Sequence, residues 1–578
     1  MAKKIFLNID NKEVKCSAGD TILKAARDNN IDIPALCYHP DFPAKGNCRI
    51  CVVEVKRKGK KTFELLTSCS TQAESGMKVK TNSQKVKKVR NLNIEFIFAE
   101  HVEKCESCVW RPNCPLLEMA QKYDVRVTRF KERKSKKKIY KFANAVEIDG
   151  TQCIDCRNCI EACGVMQNIN YLELKGKGHT QEVVPTENKN IDCIYCGQCA
   201  LHCPVSSAQE QAEWPEVEKK ISKGKKIIVA QFAPSIRVSI GEEFGLSHGK
   251  VVTGQVVAGL RALGFDYIFD VNFGADTTTM VEAEELLERV KEKKTMPMIT
   301  SCCPAWVKYT EFYHPELIPN LTTSRSPHIH LGGLIKTYWA KQMKIKPQDI
   351  EVVSIMPCTA KKYEAKREEL KIKGGYPVDN VLTTREFAWL MKKEGIDFAK
   401  LKAEKSDNPL GEYSGAGAIY GGSGGVMESA LRTAHFLACG EKKTGVCRAK
   451  IDFKEVRGMD GVKEAKVKVA GKLMRIAVVN GIGNIEPVIE NLEKYDYIEV
   501  MACPGGCIGG GGQPIPTTPE IRNKRIKALY KIDKSRKFRM AHENKEVEEA
   551  LSWLKNKGSL EHKVLHTYYY SKRYKKGK

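Results

Sequence analysis

The chain has no run of about 18 consecutive apolar residues, so no transmembrane helix is expected. Its opening, Met-Ala-Lys-Lys-Ile-Phe-Leu-Asn-Ile-Asp, lacks the apolar h-region and small-residue cleavage site of a secretory signal, and a cytoplasmic location is expected. No G-x-G-x-x-G follows a strand pattern: Gly481-Ile-Gly483 has Glu486 where a third glycine would stand, and no Walker A motif occurs. The chain is therefore expected not to bind NAD(P) or flavin itself. No RNP, zinc-finger or helix-turn-helix pattern accompanies the Tyr- and Lys-rich C-terminus, so no nucleic-acid partner is expected. Acidic residues are the minority, 70 against 96 Lys and Arg, which leaves a net charge of +26. The basic runs at Lys56–Lys61, Lys85–Arg90, Arg129–Lys141 and Tyr568–Lys578 read as solvated faces or linkers, or as a surface that steers an acidic partner.

What the chain has in excess is cysteine, 23 among 578 residues. Thiols clustered at short spacings in a reducing compartment read as metal ligands rather than disulfides. The length suffices for three to five domains at about 100–200 residues each. A hydrophobic content of 42% supplies several packed cores.

Residues 1–82 open with two short strand patterns, Lys4–Ile9 and Lys12–Cys16, around an Asp10-Asn11 turn. A helix from Thr21 follows, with Asp20 as its expected N-cap. Cys37, Cys48, Cys51 and Cys69 then have the spacing C-x10-C-x2-C-x17-C, a variant of the plant-ferredoxin arrangement around a [2Fe–2S] cluster. The segment resembles the ferredoxin-like β-grasp domain that opens complex I-type iron–sulfur subunits. In residues 83–140 an amphipathic helix, Val86 to Phe98, leads to His101-x3-Cys105-x2-Cys108-x5-Cys114. These ligand types suit zinc, but the pattern is more similar to the one-His, three-Cys [4Fe–4S] module of the same proteins. Arg129–Lys141 is expected to be an exposed basic connection.

Residues 141–215 contain an internal repeat. Cys153-x2-Cys156-x2-Cys159-x3-Cys163 recurs as Cys193-x2-Cys196-x2-Cys199-x3-Cys203-Pro204, the pattern of a two-cluster bacterial ferredoxin domain. In that pattern each fourth cysteine ligates the other cluster. One cluster would take Cys153, Cys156, Cys159 and Cys203, and the other Cys193, Cys196, Cys199 and Cys163. Four one-electron relays in a row are the expectation for residues 1–215.

From residue 224 the pattern becomes α/β. Four apolar runs, Ile227–Pro234, Pro297–Pro304, Val352–Cys358 and Tyr497–Pro504, read as buried strands, with helical patterns such as Val281–Lys294 and Thr384–Lys393 between them. Parallel strands present functional residues at their C-terminal ends, and three of these ends carry cysteine. Cys303, Cys358, Cys503 and Cys507 would converge on one crevice. The last two sit in Met501-Ala-Cys-Pro-Gly-Gly-Cys-Ile-Gly-Gly-Gly-Gly-Gln-Pro514, where glycine lets backbone approach a ligand closely.

Three motifs, Thr300-Ser-Cys-Cys-Pro-Ala-Trp306, Met356-Pro-Cys-Thr-Ala-Lys-Lys-Tyr-Glu-Ala365 and Met501–Pro514, together closely resemble the signatures of the [FeFe]-hydrogenase catalytic domain. With the preceding modules the resemblance covers nearly the whole chain, in the long multi-cluster form of that family. It implies a multidomain α+β and α/β protein whose two-lobed catalytic domain, 224–534, has parallel sheets, followed by a basic tail, 535–578, similar to a hydrogenase small subunit. It implies an H-cluster: a [4Fe–4S] cube held by Cys303, Cys358, Cys503 and Cys507, with Cys507 bridging to a two-iron unit bearing CO, cyanide and a dithiolate. The full complement would add three [4Fe–4S] clusters and one [2Fe–2S] cluster. The reaction implied is 2H⁺ + 2e⁻ ⇌ H₂.

The resemblance also assigns side chains. Cys302, otherwise read as an inert core thiol, would exchange protons at the cluster. Glu282, Glu285 and Arg289 share a helical face that alone would read as solvated; within the family they line a proton relay, with Thr322 in the place of the usual serine between the glutamates. Lys361, otherwise a surface charge, would donate to cyanide. Pro234, Ser235, Met356, Pro357 and Met501 would complete the wall. Cys16, Cys439 and Cys447 read as ordinary thiols. Electrons would come from ferredoxin or from flavin-bearing NAD(P)H-oxidising subunits, since Leu565-His-Thr-Tyr resembles the C-terminus of subunits of NAD(P)-linked hydrogenases. Maturation proteins would supply the diiron unit. A sensory hydrogenase, a non-catalytic iron–sulfur assembly protein and a pure electron-transfer subunit are the alternatives. The Cys302 thiol, the paired Cys-Cys-Pro and Pro-Cys-Thr-Ala-Lys motifs, and residues 297–514 respectively argue against them.

Overall fold

The computed structural model describes residues 3–101, 105, 106, 108, 110–131, 137–440, 453–555 and 557–573. Residues 4–80 form a five-stranded mixed sheet in the order Lys12–Ser17, Lys4–Ile9, Lys78–Lys80, Val52–Lys56, Glu64–Thr67. Asp10 and Asn11 both take positive φ at the first turn, as a two-residue hairpin with right-handed strand twist requires. The helix Ile22–Asp28 covers the sheet, but its cap is Thr21, whose hydroxyl accepts from the Lys24 amide at 3.2 Å. Asp20, expected there, turns back to accept from the Ser17 amide at 2.9 Å, because the turn before the helix has a donor of its own to satisfy.

The helix Gln84–Ala99 begins on Ser83, which accepts from the Val86 amide. The basic stretch after it is not wholly a linker. Ile139–Phe142 pairs with Val146–Asp149, which in turn pairs with Ala208–Glu210, so its end belongs to the sheet of the repeated-cysteine domain. Tyr140 and Phe142 face inward in alternation with exposed Ile139 and Lys141, and that alternation outweighs the charge.

Two four-stranded sheets build the catalytic half. One runs Tyr267–Asp270, Ile227–Phe232, Ile350–Met356, Asn380–Thr383, all parallel. The other runs Met298–Ile299, Tyr497–Met501, Lys472–Asn480, Val462–Val469, parallel except for its last hairpin. The run expected as a strand over Pro297–Pro304 keeps only Met298–Ile299 in the sheet, and Pro304 already opens a helix, where its missing N–H costs nothing.

The helix expected at Val281–Lys294 is longer, Val271–Glu292. Its first half holds Asn272, Gly274, Asp276 and three consecutive threonines and has poor helix propensity. Burial overrides this, and Thr277, Thr278 and Thr279 donate back to the carbonyls of Phe273, Gly274 and Ala275 at 3.1, 2.8 and 2.8 Å. Thr384–Lys393 is a helix with the expected bounds, opened by a capping box between Thr383 and Glu386.

The segment expected as a basic tail is largely folded. The helix Pro519–Ser535 runs across its expected boundary, and Lys545–Lys555 and Ser559–Leu565 are helices whose Val547, Ala550, Leu551, Leu554, Val564 and Leu565 join the core of the first catalytic sheet. Cys439 is disulfide-bonded rather than an ordinary thiol; Cys447 lies outside the described residues, and Cys16 is a buried free thiol.

Candidate active site and the cysteine groups that lead to it

The carboxyl ends of Met298–Ile299, Ile350–Met356 and Tyr497–Met501 meet between the two sheets. They enclose a cavity lined by Cys303, Cys358, Cys503 and Cys507, together with Cys302, Lys361, Pro234, Met356, Pro357 and Met501. Burial raises the Cys358, Cys503 and Cys507 thiols, and their mutual proximity and that of Cys303 raises them further. Such a group resists being charged by itself and is relieved when a cation takes the thiolates. Ser235 does not line this cavity; its hydroxyl is buried behind Pro234 and makes no hydrogen bond among the described residues.

Lys361 is fixed from two sides. Its ammonium donates to the Cys302 carbonyl at 3.0 Å and to Glu364 Oε2 at 2.7 Å, and that same oxygen pairs with His328 Nε2 at 2.7 Å. Burial would raise the Glu364 carboxyl, but Lys361 and His328 together hold it down at about 2, so the lysine keeps its charge. One of its three N–H bonds is left for the cavity. A soft four-thiolate floor, apolar walls and one cation suit an anionic iron cluster. Glu364 and His328 were not legible as functional residues from the sequence, although Glu364 stands three positions after Lys361.

Cys302 opens onto the same cavity, and burial, followed by Glu282, holds its thiol well above the ordinary range. It is a neutral S–H at pH 7. Burial likewise pushes Glu282 up to about 8, against a bond from the Tyr497 hydroxyl to its Oε1 at 2.7 Å. Glu282 Oε2 is buried with no hydrogen-bond partner among the described residues. The Thr322 hydroxyl donates to Glu285 Oε2 at 2.7 Å, so it is bonded to the outer glutamate and not to both. Arg289 donates to Glu285 and to the carbonyls of Thr295, Pro319, Asn320 and Leu321.

The glycines of 501–514 press mostly on protein. A Cβ on Gly509 would stand 2.1 Å from the Pro504 carbonyl oxygen, on Gly510 2.2 Å from that of Pro357, and on Gly511 2.4 Å from that of Cys196. Only Gly506 and Gly510 also line the cavity. Gly506 and Gly510 thus bring backbone to the cavity as expected, while Gly509, Gly510 and Gly511 close the last motif on its own Pro504, on Pro357 of the second motif and on the Cys196 loop.

The remaining cysteines gather into groups. Cys153, Cys156, Cys159 and Cys203 interact with one another, as do Cys193, Cys196, Cys199 and Cys163, so each fourth cysteine of the repeat has crossed over. The Cys48 amide donates to Cys37 Sγ at 3.5 Å, and the free thiols of Cys51 and Cys69 are hydrogen-bonded to each other. Cys105, Cys108 and Cys114 are neighbours, and His101 is buried just after the helix Gln84–Ala99. Their connections are not a single row. Asn47, beside Cys48, donates to the carbonyls of Asp155 and Cys156, while Cys108 Sγ lies 3.3 Å from Ser206 Oγ, three residues after Cys203. Two arms meet at one group. From the second group, Gln198 donates to the Gly509 carbonyl at 2.9 Å, and Thr359 donates to the Tyr195 carbonyl at 2.8 Å.

Sequence reasoning also missed a half-buried cluster of His39, Asp41 and His202 whose ligand atoms lie within 4.8 Å of one another. Arg522 grips Asp41 through two bonds of 3.0 Å, which neutralises the carboxylate a cation would need. The cluster is a clasp between the N-terminal domain, the repeat domain and the helix Pro519–Ser535.

Residues 226–511 match the family described as iron only hydrogenase large subunit, C-terminal domain; 2–84 match a 2Fe-2S iron-sulfur cluster binding domain, and 519–572 match the iron hydrogenase small subunit. The NADP-reducing hydrogenase subunit of Solidesulfovibrio fructosivorans is 39% identical over 98% of this chain and 99% of its own. This chain belongs to the iron-only hydrogenase family. Iron hydrogenase 1 of Clostridium pasteurianum is 38% identical over 91% of this chain and 92% of its own. The apo [FeFe]-hydrogenase of Chlamydomonas reinhardtii, 37% identical, superposes with a TM-score of 0.55 over 62% of this chain and 99% of that one. This hydrogenase is an oxidoreductase carrying iron–sulfur clusters. Its small-subunit region starts at 519, earlier than the expected 535. Among its described residues no helix is long and apolar enough to cross a membrane.

Proposed function

We propose that this chain is the hydrogen-forming and hydrogen-consuming subunit of a cytoplasmic assembly, with Cys303, Cys358, Cys503 and Cys507 holding the cube of an H-cluster and Cys507 bridging to its diiron unit. The observation that carries this is the single cavity in which those four thiols, the neutral Cys302 thiol and the Lys361 ammonium face one another. When bound, the group supplies an open iron site for 2H⁺ + 2e⁻ ⇌ H₂. The chain's own residues do the rest. Lys361 holds positive charge over the anionic unit. Met356, Met501, Pro234 and Pro357 exclude water, with Ser235 as a buried hydroxyl behind them. Cys302 holds a proton at Sγ, Glu282 at its carboxyl, and Glu285, oriented by Arg289 and Thr322, passes it outward.

Electrons would travel through a [2Fe–2S] cluster on Cys37, Cys48, Cys51 and Cys69 in a β-grasp domain, and a [4Fe–4S] cluster on His101, Cys105, Cys108 and Cys114. Both would feed the crossed pair of [4Fe–4S] clusters. The match to an NADP-reducing hydrogenase subunit supports flavin-bearing NAD(P)H-oxidising partner subunits as donor, with ferredoxin the alternative; maturation proteins would install the diiron unit. The test is infrared spectroscopy of the matured chain with an H₂ assay from a reduced low-potential donor. Bands from iron-bound CO and cyanide with H₂ formation are expected; competently matured protein without those bands would sink the reading.

A further inference from the structure

The C-terminal segment lies along the outer end of this relay. Its Leu565–Thr567 pairs antiparallel with 323–325: the Arg325 amide donates to the Leu565 carbonyl at 3.0 Å, and the Thr567 amide donates to the Thr323 carbonyl at 2.8 Å. This fixes the His566 ring, whose Nδ1 lies 2.9 Å from the Thr323 hydroxyl. That hydroxyl lies 3.0 Å from Glu285 Oε2, the oxygen that also accepts from Thr322. His566, Thr323 and Glu285 all line a cleft of about 470 Å³ between the long helix and the C-terminal helices.

Arg289, the outermost residue of the relay assigned by resemblance, is poorly suited to release protons. A guanidinium does not deprotonate in a protein. Both terminal nitrogens of Arg289 are engaged by Glu285 and the four backbone carbonyls that hold it. It positions Glu285. An imidazole gains and loses protons near neutral pH, and one hydroxyl separates this imidazole from the carboxylate.

Resting on the proton-relay reading above, we infer that His566 is the outermost relay residue of this hydrogenase, carrying protons between solvent in the cleft and Glu285 through the Thr323 hydroxyl. Inward, His566 Nδ1–H gives its proton to Thr323 Oγ1 as the Thr323 O–H gives its own to Glu285 Oε2; the ring regains a proton from water, and nothing else is consumed. Outward the steps reverse. The charged groups acting on the ring are Glu285 from the long helix, Arg325 from the paired strand, and Glu561 and His562 from its own helix.

The experiment uses the matured full chain and its His566→Gln variant, which keeps a polar group beside Thr323 but cannot titrate. Under saturating donor, H₂ formation should fall roughly tenfold or more, with unchanged CO and cyanide bands, and added imidazole should restore most of it. Unaltered turnover, or a loss that imidazole leaves in place, overturns the inference while the hydrogenase reading stands. A second readout needs no diiron unit: burial lowers the His566 pKa and the Glu285 carboxylate opposes this, so in the ¹⁵N-histidine spectrum of unmatured chain Glu285→Gln should lower it further. An unmoved titration refutes the coupling whatever the hydrogen chemistry.

Discussion

Gly511 meets Cys196 backbone to backbone, so closely that a Cβ on Gly511 would stand 2.4 Å from the Cys196 carbonyl oxygen and 2.6 Å from Gly197 Cα. Neither neighbour is the flexible end of a side chain, so the two loops must part. Gly511→Ala should retain all clusters, read from iron content and infrared bands. H₂ formation driven through the N-terminal clusters should slow by ten- to a hundredfold, the scale on which misplacements of about 1 Å act. Unchanged turnover would show that this contact does not set the spacing of the last electron step.

Among the described residues Cys302 is the only thiol of the cavity outside the four-cysteine set. Cys302→Ala should leave the CO and cyanide bands in place and cut H₂ turnover by roughly a hundredfold or more, as loss of a positioned proton donor does. Near-normal gas production would remove its role.

Glu282 has a stability signature that does not need the cofactor. Burial raises its pKa to about 8, above its ordinary value, so the native chain holds this proton more tightly than the unfolded chain. Native stability therefore falls as pH rises from about 4.5 towards 8. Glu282→Gln removes that loss: relative to the unsubstituted chain it should gain up to about 5 kcal/mol above pH 8 and nothing below pH 4.5. Denaturation midpoints of unmatured chain across pH give the comparison. Asp276, raised to about 7 by burial, remains in both proteins and cancels; Glu499, also raised to about 7 by burial, is a lesser contributor to the Glu282 shift and moves with it. A difference independent of pH would refute the assignment.

The Tyr497 hydroxyl lowers the Glu282 pKa through its bond at 2.7 Å, against the larger effect of burial. Tyr497→Phe should raise Glu282 further and move the alkaline limb of the pH–turnover profile upward by about one to two pH units, since one hydrogen bond to a charged group is worth about 1.5–3 kcal/mol. A limb that stays put would mean that Glu282 does not govern it.

What the sequence made legible were features that repeat or sit at strand ends. The spacing of the two cysteine repeats announced their crossing, and the cysteines after Met356 and Met501 announced their crevice. The helical pattern Thr384–Lys393 matched its helix to the residue. The missed residues owe their roles to partners far along the chain. Tyr497 meets Glu282 across 215 positions, and His566 meets Thr323 across 243, distances that no local period encodes. The first half of the helix Val271–Glu292 was hidden for another reason: its threonines disfavour a helix until burial ties their hydroxyls to the preceding turn and, for Thr278 and Thr279, to His330, Tyr420 and Ser429.

On the cluster assignment proposed above, the fork at the Cys153, Cys156, Cys159 and Cys203 group would make that group a summing point. Forming one H₂ takes two electrons, and with both arms loaded they need not arrive by one road or from one donor. Two reductants of unequal strength, each touching its own arm, would be averaged at the junction before the catalytic cavity sees either. Cutting one arm would then change which donors the enzyme accepts and leave the chemistry in the cavity as it was.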